Sequence, residues 1–335
     1  MNEIRHPVQL SSGIPTGPSR RYLWITGARG FIGQHLARHC ARLGYQVCGI
    51  GHGVWAPIEA ERSGVTKWIN GDVTGSNLQA LRSRSGLPVA VFHLAGGSSV
   101  AAAIAQPRED FSRTVSSTVA LLEWVRQESP ATRVVAVSSA AVYGSGHNGR
   151  ISETAAATPY SPYGYHKLMM ESLCRSYGAT YGINSIIARL FSVYGEGLRK
   201  QLLWDVCCML AGSESVIELG GDGEELRDWV NVSDAVSVLE SLAARAGAQV
   251  PALNVGTGVG TSVAQIANLL VEAWGNSTGQ RRHVRFSGNA RAGDPRSLVA
   301  YPGLLTEHGV RCGIAVAPGI AAFVHWFRTE SGAAS

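Results

Sequence analysis

Short, mainly apolar runs recur along the first half of the chain: 21–26 (RYLWIT), Gln46–Ile50, Val65–Ile69, Val89–Leu94, Arg133–Val137 and Asn184–Ala188. Runs of this length and character suit strands of a parallel sheet covered on both faces. Between them the spacing turns helical. Phe31, Ile32, Leu36, Ala37 and Leu43 mark one amphipathic helix, and two more are expected near 107–128 and 161–181. Strand and helix therefore alternate, which predicts an α/β fold built on a doubly wound parallel sheet. Beyond Tyr194 the rhythm changes. Residues 196–205 open with charged, flexible positions and run into an apolar helix through Met209 and Leu210; 231–244 reads as a helix and 253–258 as a strand and turn.

The first strand is followed at once by Gly27-Ala-Arg29-Gly30-Phe31-Ile32-Gly33, which opens the first helix. Glycines at this spacing permit a tight strand-to-helix turn, let backbone approach a pyrophosphate and leave helix-terminal N–H groups for the anion. With a strand before and a helix after, the loop is a dinucleotide-binding signature rather than a plain connection. The fold is thus expected to be of the Rossmann type.

Tyr163 and Lys167 lie four residues apart within the helix expected over 161–181, so they share one face. A fixed ammonium beside a phenol favours the phenolate and brings tyrosine toward the range useful for proton transfer at a carbinol. Taken alone, this spacing is common in helices; its order relative to the glycine loop gives it weight.

The ordered set of motifs is identified with the extended short-chain dehydrogenase/reductases, in the group of nucleotide-sugar epimerases, dehydratases and reductases. It comprises Thr26 to Gly33, Gly71-Asp72-Val73, His93-Leu94-Ala95-Gly96, Ser138-Ser139-Ala-Ala-Val-Tyr143-Gly144, Tyr163 to Lys167, Arg189 to Gly195, and Gly221-Asp-Gly with Arg227-Asp228. The resemblance covers about Arg21 to Arg328. It implies that Ser139 polarises the substrate oxygen, Tyr163 exchanges the proton, and Lys167 lowers the tyrosine pKa and hydrogen-bonds the nicotinamide ribose. It also implies that Asp72, with Val73 beside it, holds the adenine end, and that Leu94, Ala95 and Gly96 pass beneath the cofactor. On the substrate side it points to Ser139, Tyr143, Ser192, Lys200 and Gln201, and to Arg227 and Arg291 as the guanidinium forks that grip a diphosphate. The expected division is an N-terminal flexible extension over 1–20, a dinucleotide-binding domain over 21–190, and a smaller, mainly substrate-binding α/β domain over 191–335, from which about 227–260 returns to the first.

The family's pattern is departed from at the cofactor and at the substrate. An acidic residue at the end of the second strand accepts hydrogen bonds from the ribose hydroxyls where NAD is preferred. Here that end reads Ile50-Gly51-His52-Gly53, and Arg29 is within the glycine loop, so the expectation leans from NAD to NADP. Dehydratases of the family place Thr-Asp-Glu or Thr-Asp-Asp where this chain has Ser138-Ser139-Ala140, which disfavours elimination. Ser192 and Glu196 stand where an asparagine and a proline are usual. The histidine of the bifunctional GDP-fucose synthases has no counterpart in Leu198-Arg199-Lys200-Gln201, which argues against 3,5-epimerisation. The expected reaction is reduction of a nucleotide-linked 4-keto-6-deoxy sugar by NAD(P)H. The alternatives are an NAD-dependent 4-epimerase resembling UDP-glucose 4-epimerase and, from another class, a non-catalytic NADP-binding regulator; regulators commonly lose the tyrosine or lysine that this chain keeps.

Composition is compatible with these expectations. The chain has 335 residues, 45% hydrophobic and 16% charged, enough to bury a large core. Its formal net charge of +5 favours anionic ligands, but no block of lysines and arginines points to nucleic acid. Six scattered cysteines show neither metal-ligand spacing nor a disulfide framework, so no metal is expected and a reducing cytoplasm fits. No stretch has the length and apolarity of a signal peptide or a membrane span. The resemblance further implies a homodimer made through a four-helix bundle by the helices near 106–126 and 163–181.

Overall fold

The computed structural model describes residues 21–288 and 295–332; the N-terminal extension and Arg291 lie outside the described residues. In chain order the first half runs β1 (Tyr22–Thr26), α1 (Phe31–Arg42), β2 (Gln46–Gly51), α2 (Pro57–Arg62), β3 (Val65–Asn70), α3 (Gly75–Ser85) and β4 (Pro88–His93). It continues with α4 (Val100–Ala105), α5 (Pro107–Phe111), a π-helical turn (Ser112–Ser116), α6 (Ser117–Glu128), β5 (Arg133–Ser139), a 3₁₀ turn (Ala140–Tyr143), β6 (Arg150–Ile151), α7 (Pro162–Tyr181) and β7 (Ser185–Leu190). The second half comprises β8 (Ser192–Tyr194), α8 (Gln201–Ala211), β9 (Val216–Leu219), β10 (Leu226–Asn231), α9 (Val232–Leu242), β11 (Ala252–Val255) and β12 (Gly260–Ser262). α10 (Val263–Thr278), β13 (His283–Phe286), β14 (Ser297–Ala300), α11 (Gly303–Glu307) and α12 (Val316–Gly332) complete it.

Seven strands form one sheet in the order β11-β7-β5-β4-β1-β2-β3, and every neighbouring pair in it is parallel. Its inner strands are buried almost throughout, which explains why they read as apolar runs, whereas the edge strand β3 exposes Thr66, Lys67 and Asn70. α1 packs with α9 over one core, whereas α3, α6 and α7 enclose the other with Trp24, Leu121, Leu122 and Met170. The order reverses between β1 and β4, and there the carboxyl ends of the strands open a crevice, the position where doubly wound sheets bind ligands.

A second sheet of β12, β10, β14 and β6, with β8 beside β10, carries the opposite wall. α8, α10 and α12 pack behind it through Leu203, Val206, Ile266, Leu270, Phe323 and Phe327. β11 leaves this half and joins the edge of the seven-stranded sheet beside β7. The helix expected over 107–128 is interrupted by the wide turn at Ser112–Ser116; such π segments re-aim side chains and recur at functional sites.

Candidate active site

Gly27 has φ +72° and its N–H donates to Ile50 O at 2.7 Å, which turns the chain sharply out of β1. At Gly33 a Cβ would run into the Gly27 carbonyl, so only glycine lets α1 start this close to the turn. Gly27, Gly30, Phe31, Ile32 and Gly33 line one end of a cleft of about 1180 Å³. The cleft continues past His52, Asp72 and Val73, beneath Leu94, Ala95 and Gly96, and reaches Ser139, Tyr163 and Lys167. This extended cradle of glycine backbone, opening at the sheet's reversal point, fits a dinucleotide.

His52 Nε2 lies 2.8 Å from Asp72 Oδ1, both exposed at the cleft mouth. Arg29 is exposed and does not line the cleft; its guanidinium folds over Gly53, where a Cβ would collide with it.

Below the glycine loop His93 is fully enclosed. Thr26 Oγ1 lies 2.8 Å from His93 Nδ1 and accepts from Ala95 N–H at 3.0 Å, while Thr118 Oγ1 lies 3.1 Å from His93 Nε2 and donates to Thr114 O at 2.6 Å. Burial first, and the Lys167 charge second, pull the His93 pKa down to about 3, so the imidazole is neutral and serves as a hydrogen-bonded spacer between β1, β4 and α6.

Tyr163 and Lys167 are placed by the start of α7. Ser161 caps the helix by accepting from Gly164 N–H at 3.3 Å, and Pro162 occupies the first turn, where a missing N–H costs nothing. Gly164 lets the helix lie against the 3₁₀ turn, since a Cβ there would approach Ala141 O to 2.6 Å. Tyr163 is thereby brought to the cleft beside the Ser139 hydroxyl. Burial raises the Tyr163 pKa above its ordinary value; the nearby Ser139 hydroxyl pulls it back and the Asp110 carboxylate pushes it further up. Lys167 Nζ stands 5.9 Å from the Tyr163 ring centre and donates to Val137 O at 2.9 Å. Its pKa is lowered to about 8, chiefly by burial, with Asp110 and Glu171 opposing. The lysine thus stands beside the tyrosine as expected, but burial holds the phenol above its ordinary pKa.

Tyr143 corrects an expectation. The resemblance implies a substrate contact for it, yet it is fully buried and does not line the cleft. Its hydroxyl donates to Asn254 Oδ1 at 2.6 Å and accepts from Arg189 Nη1 at 2.8 Å. Arg189 also grips Glu171 through Nε at 2.9 Å and Nη2 at 2.7 Å, and Ser138 Oγ donates to the same carboxylate at 2.7 Å. The Ser138 to Tyr143 stretch therefore has two jobs: Ser139 faces the cleft, and Ser138 and Tyr143 tie β5 and its turn to α7, β7 and β11.

At the substrate end Ser192, Lys200, Gln201 and Arg227 all line the cleft. Gln201 has φ +65°, a left-handed conformation that is strained for a side-chain-bearing residue and sits where the loop enters α8. Lys200 Nζ donates across to Ser98 O at 3.3 Å. Arg227 Nη1 donates to Leu226 O and Pro295 O at 2.9 and 2.8 Å. Its neighbour Asp228 is wholly buried and accepts from Thr257, Gly258 and Ala300 N–H groups, which fixes β10 in the wall. Phe191, inside the Arg189 to Gly195 motif, also lines the cleft, as do Ser98, Ser116, Glu225 and Trp229, which carry no motif of their own.

Comparison with known proteins agrees with this geometry. The model of the NAD dependent epimerase/dehydratase family matches residues 23–256. The chain belongs to that family. It is 30% identical over 303 residues to a UDP-glucose 4-epimerase of Azospirillum brasilense, covering 85% of each chain. It is also similar to MoeE5 in complex with UDP-glucose and NAD (TM-score 0.79, 31% identity, 92% of this chain and 99% of that one). A further similar structure is TunA, an NAD dependent NDP-hexosamine 5,6-dehydratase (TM-score 0.78, 27% identity, 92% and 98% covered). This family member is accordingly an NAD-dependent enzyme acting on a nucleotide sugar. Among the described residues no helix is long and apolar enough to cross a membrane.

Proposed function

We propose that this chain is a UDP-hexose 4-epimerase that works with bound NAD. The observation that carries the reading is the content of the reacting end of the cleft: the proton-transfer couple Tyr163 with Lys167, the Ser139 hydroxyl, and no carboxylate in Ser138-Ser139-Ala140, where the dehydratases carry their acid and base. Epimerisation needs no more, because the same proton and hydride leave and return. The similarity to UDP-glucose 4-epimerases supports it over the reductase expected from the sequence. That expectation, and the lean to NADP, rested on Arg29 and the missing carboxylate after β2. Arg29 lies off the cleft, with its guanidinium over Gly53, and the similar structure MoeE5 holds NAD.

NAD held along the glycine loop and Leu94 to Gly96 would supply the acceptor for the C4 hydride and its return. Tyr163 Oη takes the C4 hydroxyl proton as the hydride leaves, and returns it when the sugar presents its other face. Ser139 Oγ hydrogen-bonds the same substrate oxygen and stabilises its developing charge. The Lys167 ammonium favours the phenolate needed in the first half. Arg227 and Lys200 are the cleft cations suited to the diphosphate, with Arg291 as the further candidate from the sequence.

A second copy of the chain is the proposed partner. Tyr165 and Met169, one turn apart on α7, are 51% and 44% exposed, and Val119 on the neighbouring α6 is 37% exposed. An apolar face on two packed helices is what a helical dimer buries.

Tyr163→Phe tests the catalytic reading. It should retain NAD while interconversion of UDP-glucose and UDP-galactose falls by about 10²- to 10⁴-fold; turnover at the wild-type rate would overturn it.

A further inference from the structure

One buried ionisable pair has no role in the chemistry above. His166 Nδ1 donates to Asp110 Oδ2 at 2.5 Å, with the two side chains only 11% and 5% exposed. The pair joins α7 to α5 across 56 residues of sequence, and the edge of the Phe111 ring closes over the imidazole. Neither residue lines the cleft, but both sit directly behind it. His166 is the residue before Lys167. Asp110 lies immediately under the cofactor loop: a Cβ on Gly97 would run into Asp110 Oδ1, and a Cβ on Gly96 would come to 3.1 Å from Lys167 Nζ. The adjacent glycines thus rest on a carboxylate and an ammonium. Gly97 N–H is fixed as well, donating to Thr114 Oγ1 at 2.9 Å.

The other charges around Lys167 are already committed. Glu171, one turn along α7, is held by Arg189 and Ser138, and Arg113 on the π turn pairs with Glu109. His93 on β4 is neutral, Tyr163 on α7 is a phenol, and α4 contributes no charged side chain.

We propose that Asp110, anchored by His166, is a positioning residue for the reaction: it is the counter-charge that keeps the Lys167 ammonium ionised beside Tyr163, and the seat on which Gly96 and Gly97 hold the cofactor loop. A carboxylate here has two electrostatic effects. It raises the pKa of Lys167 against the cost of burial, and it holds the proton on Tyr163. The couple is thereby kept charged on the lysine and protonated on the tyrosine until ligands arrive.

The inference rests on the reading of Tyr163 and Lys167 as the proton-transfer couple, but its test needs no turnover. The Lys167 side chain is titrated by NMR in the full-length protein with isotope-labelled lysine, using Lys167→Met to assign the signal. Asp110→Asn, which keeps the shape and loses the charge, should move the midpoint to lower pH by about one unit. Asp110→Glu, which keeps the charge, should restore most of that shift. If the amide variant does not fold, Asp110→Ser is read in the same way. A midpoint unchanged or raised without the carboxylate overturns the proposal, whatever happens to the melting temperature, and leaves the epimerase reading untouched.

Discussion

Ser138 and Ser139 are neighbours at the end of β5 that serve opposite sides of it. Ser138 Oγ donates at 2.7 Å to the buried Glu171 carboxylate, whereas Ser139 lines the cleft beside Tyr163. The same substitution should therefore have different consequences at the two positions. Ser138→Ala leaves one acceptor of a buried carboxylate less satisfied and should cost about 1–3 kcal/mol of stability with little change in kcat. Ser139→Ala should leave the melting temperature nearly unchanged and lower kcat by about 10²-fold or more. Denaturant melts and steady-state rates on both variants decide it; equal effects on both quantities would contradict the assignment.

The Lys167 ammonium, with its pKa lowered to about 8, sets an alkaline limit. As pH rises through that value the charge that favours the Tyr163 phenolate is lost, so turnover should decline on the alkaline side. Lys167→Met should abolish that limb along with most activity, by about 10²-fold or more. A pH–rate profile flat to well beyond the limb would contradict the role.

His93 predicts an acid sensitivity of the fold. Buried, it keeps a pKa near 3, whereas an unfolded histidine titrates near ~6.5. Between those values the unfolded chain binds a proton that the native state refuses, so stability falls as pH falls through that window. The urea midpoint should drop from about pH 7 to about pH 5, and His93→Gln should show a smaller drop across the same range. An identical drop in both proteins would assign the sensitivity elsewhere.

Charge placed on the exposed α7 face should separate the proposed dimer. Tyr165→Glu with Met169→Glu should give a monomer by light scattering, against a dimer for the wild type. A wild-type monomer would remove the second copy from the account.

Local patterns in the sequence carried the glycine loop, the Tyr163–Lys167 couple and the strands of the large sheet, because each depends on residues a few positions apart. What was not legible depends on the fold. The β6, β9 and β13 strands are two to four residues long, too short for a period to show. Tyr143 belonged to a site motif, but its surroundings are set by Arg189 and Asn254, 46 and 111 residues away. His166 was visible beside Lys167, and Asp110 near the start of a predicted helix, yet nothing local says that they meet. The break at Ser112–Ser116 likewise has no Pro or Gly to announce it.

The central claim is tested most directly by incubating the protein as purified with UDP-glucose, with no cofactor added, and resolving the sugar nucleotides. The account predicts NAD released on denaturation and conversion to a mixture of UDP-glucose and UDP-galactose. Unchanged UDP-glucose, together with consumption of added NADPH in the presence of a nucleotide-linked 4-keto sugar, would contradict it.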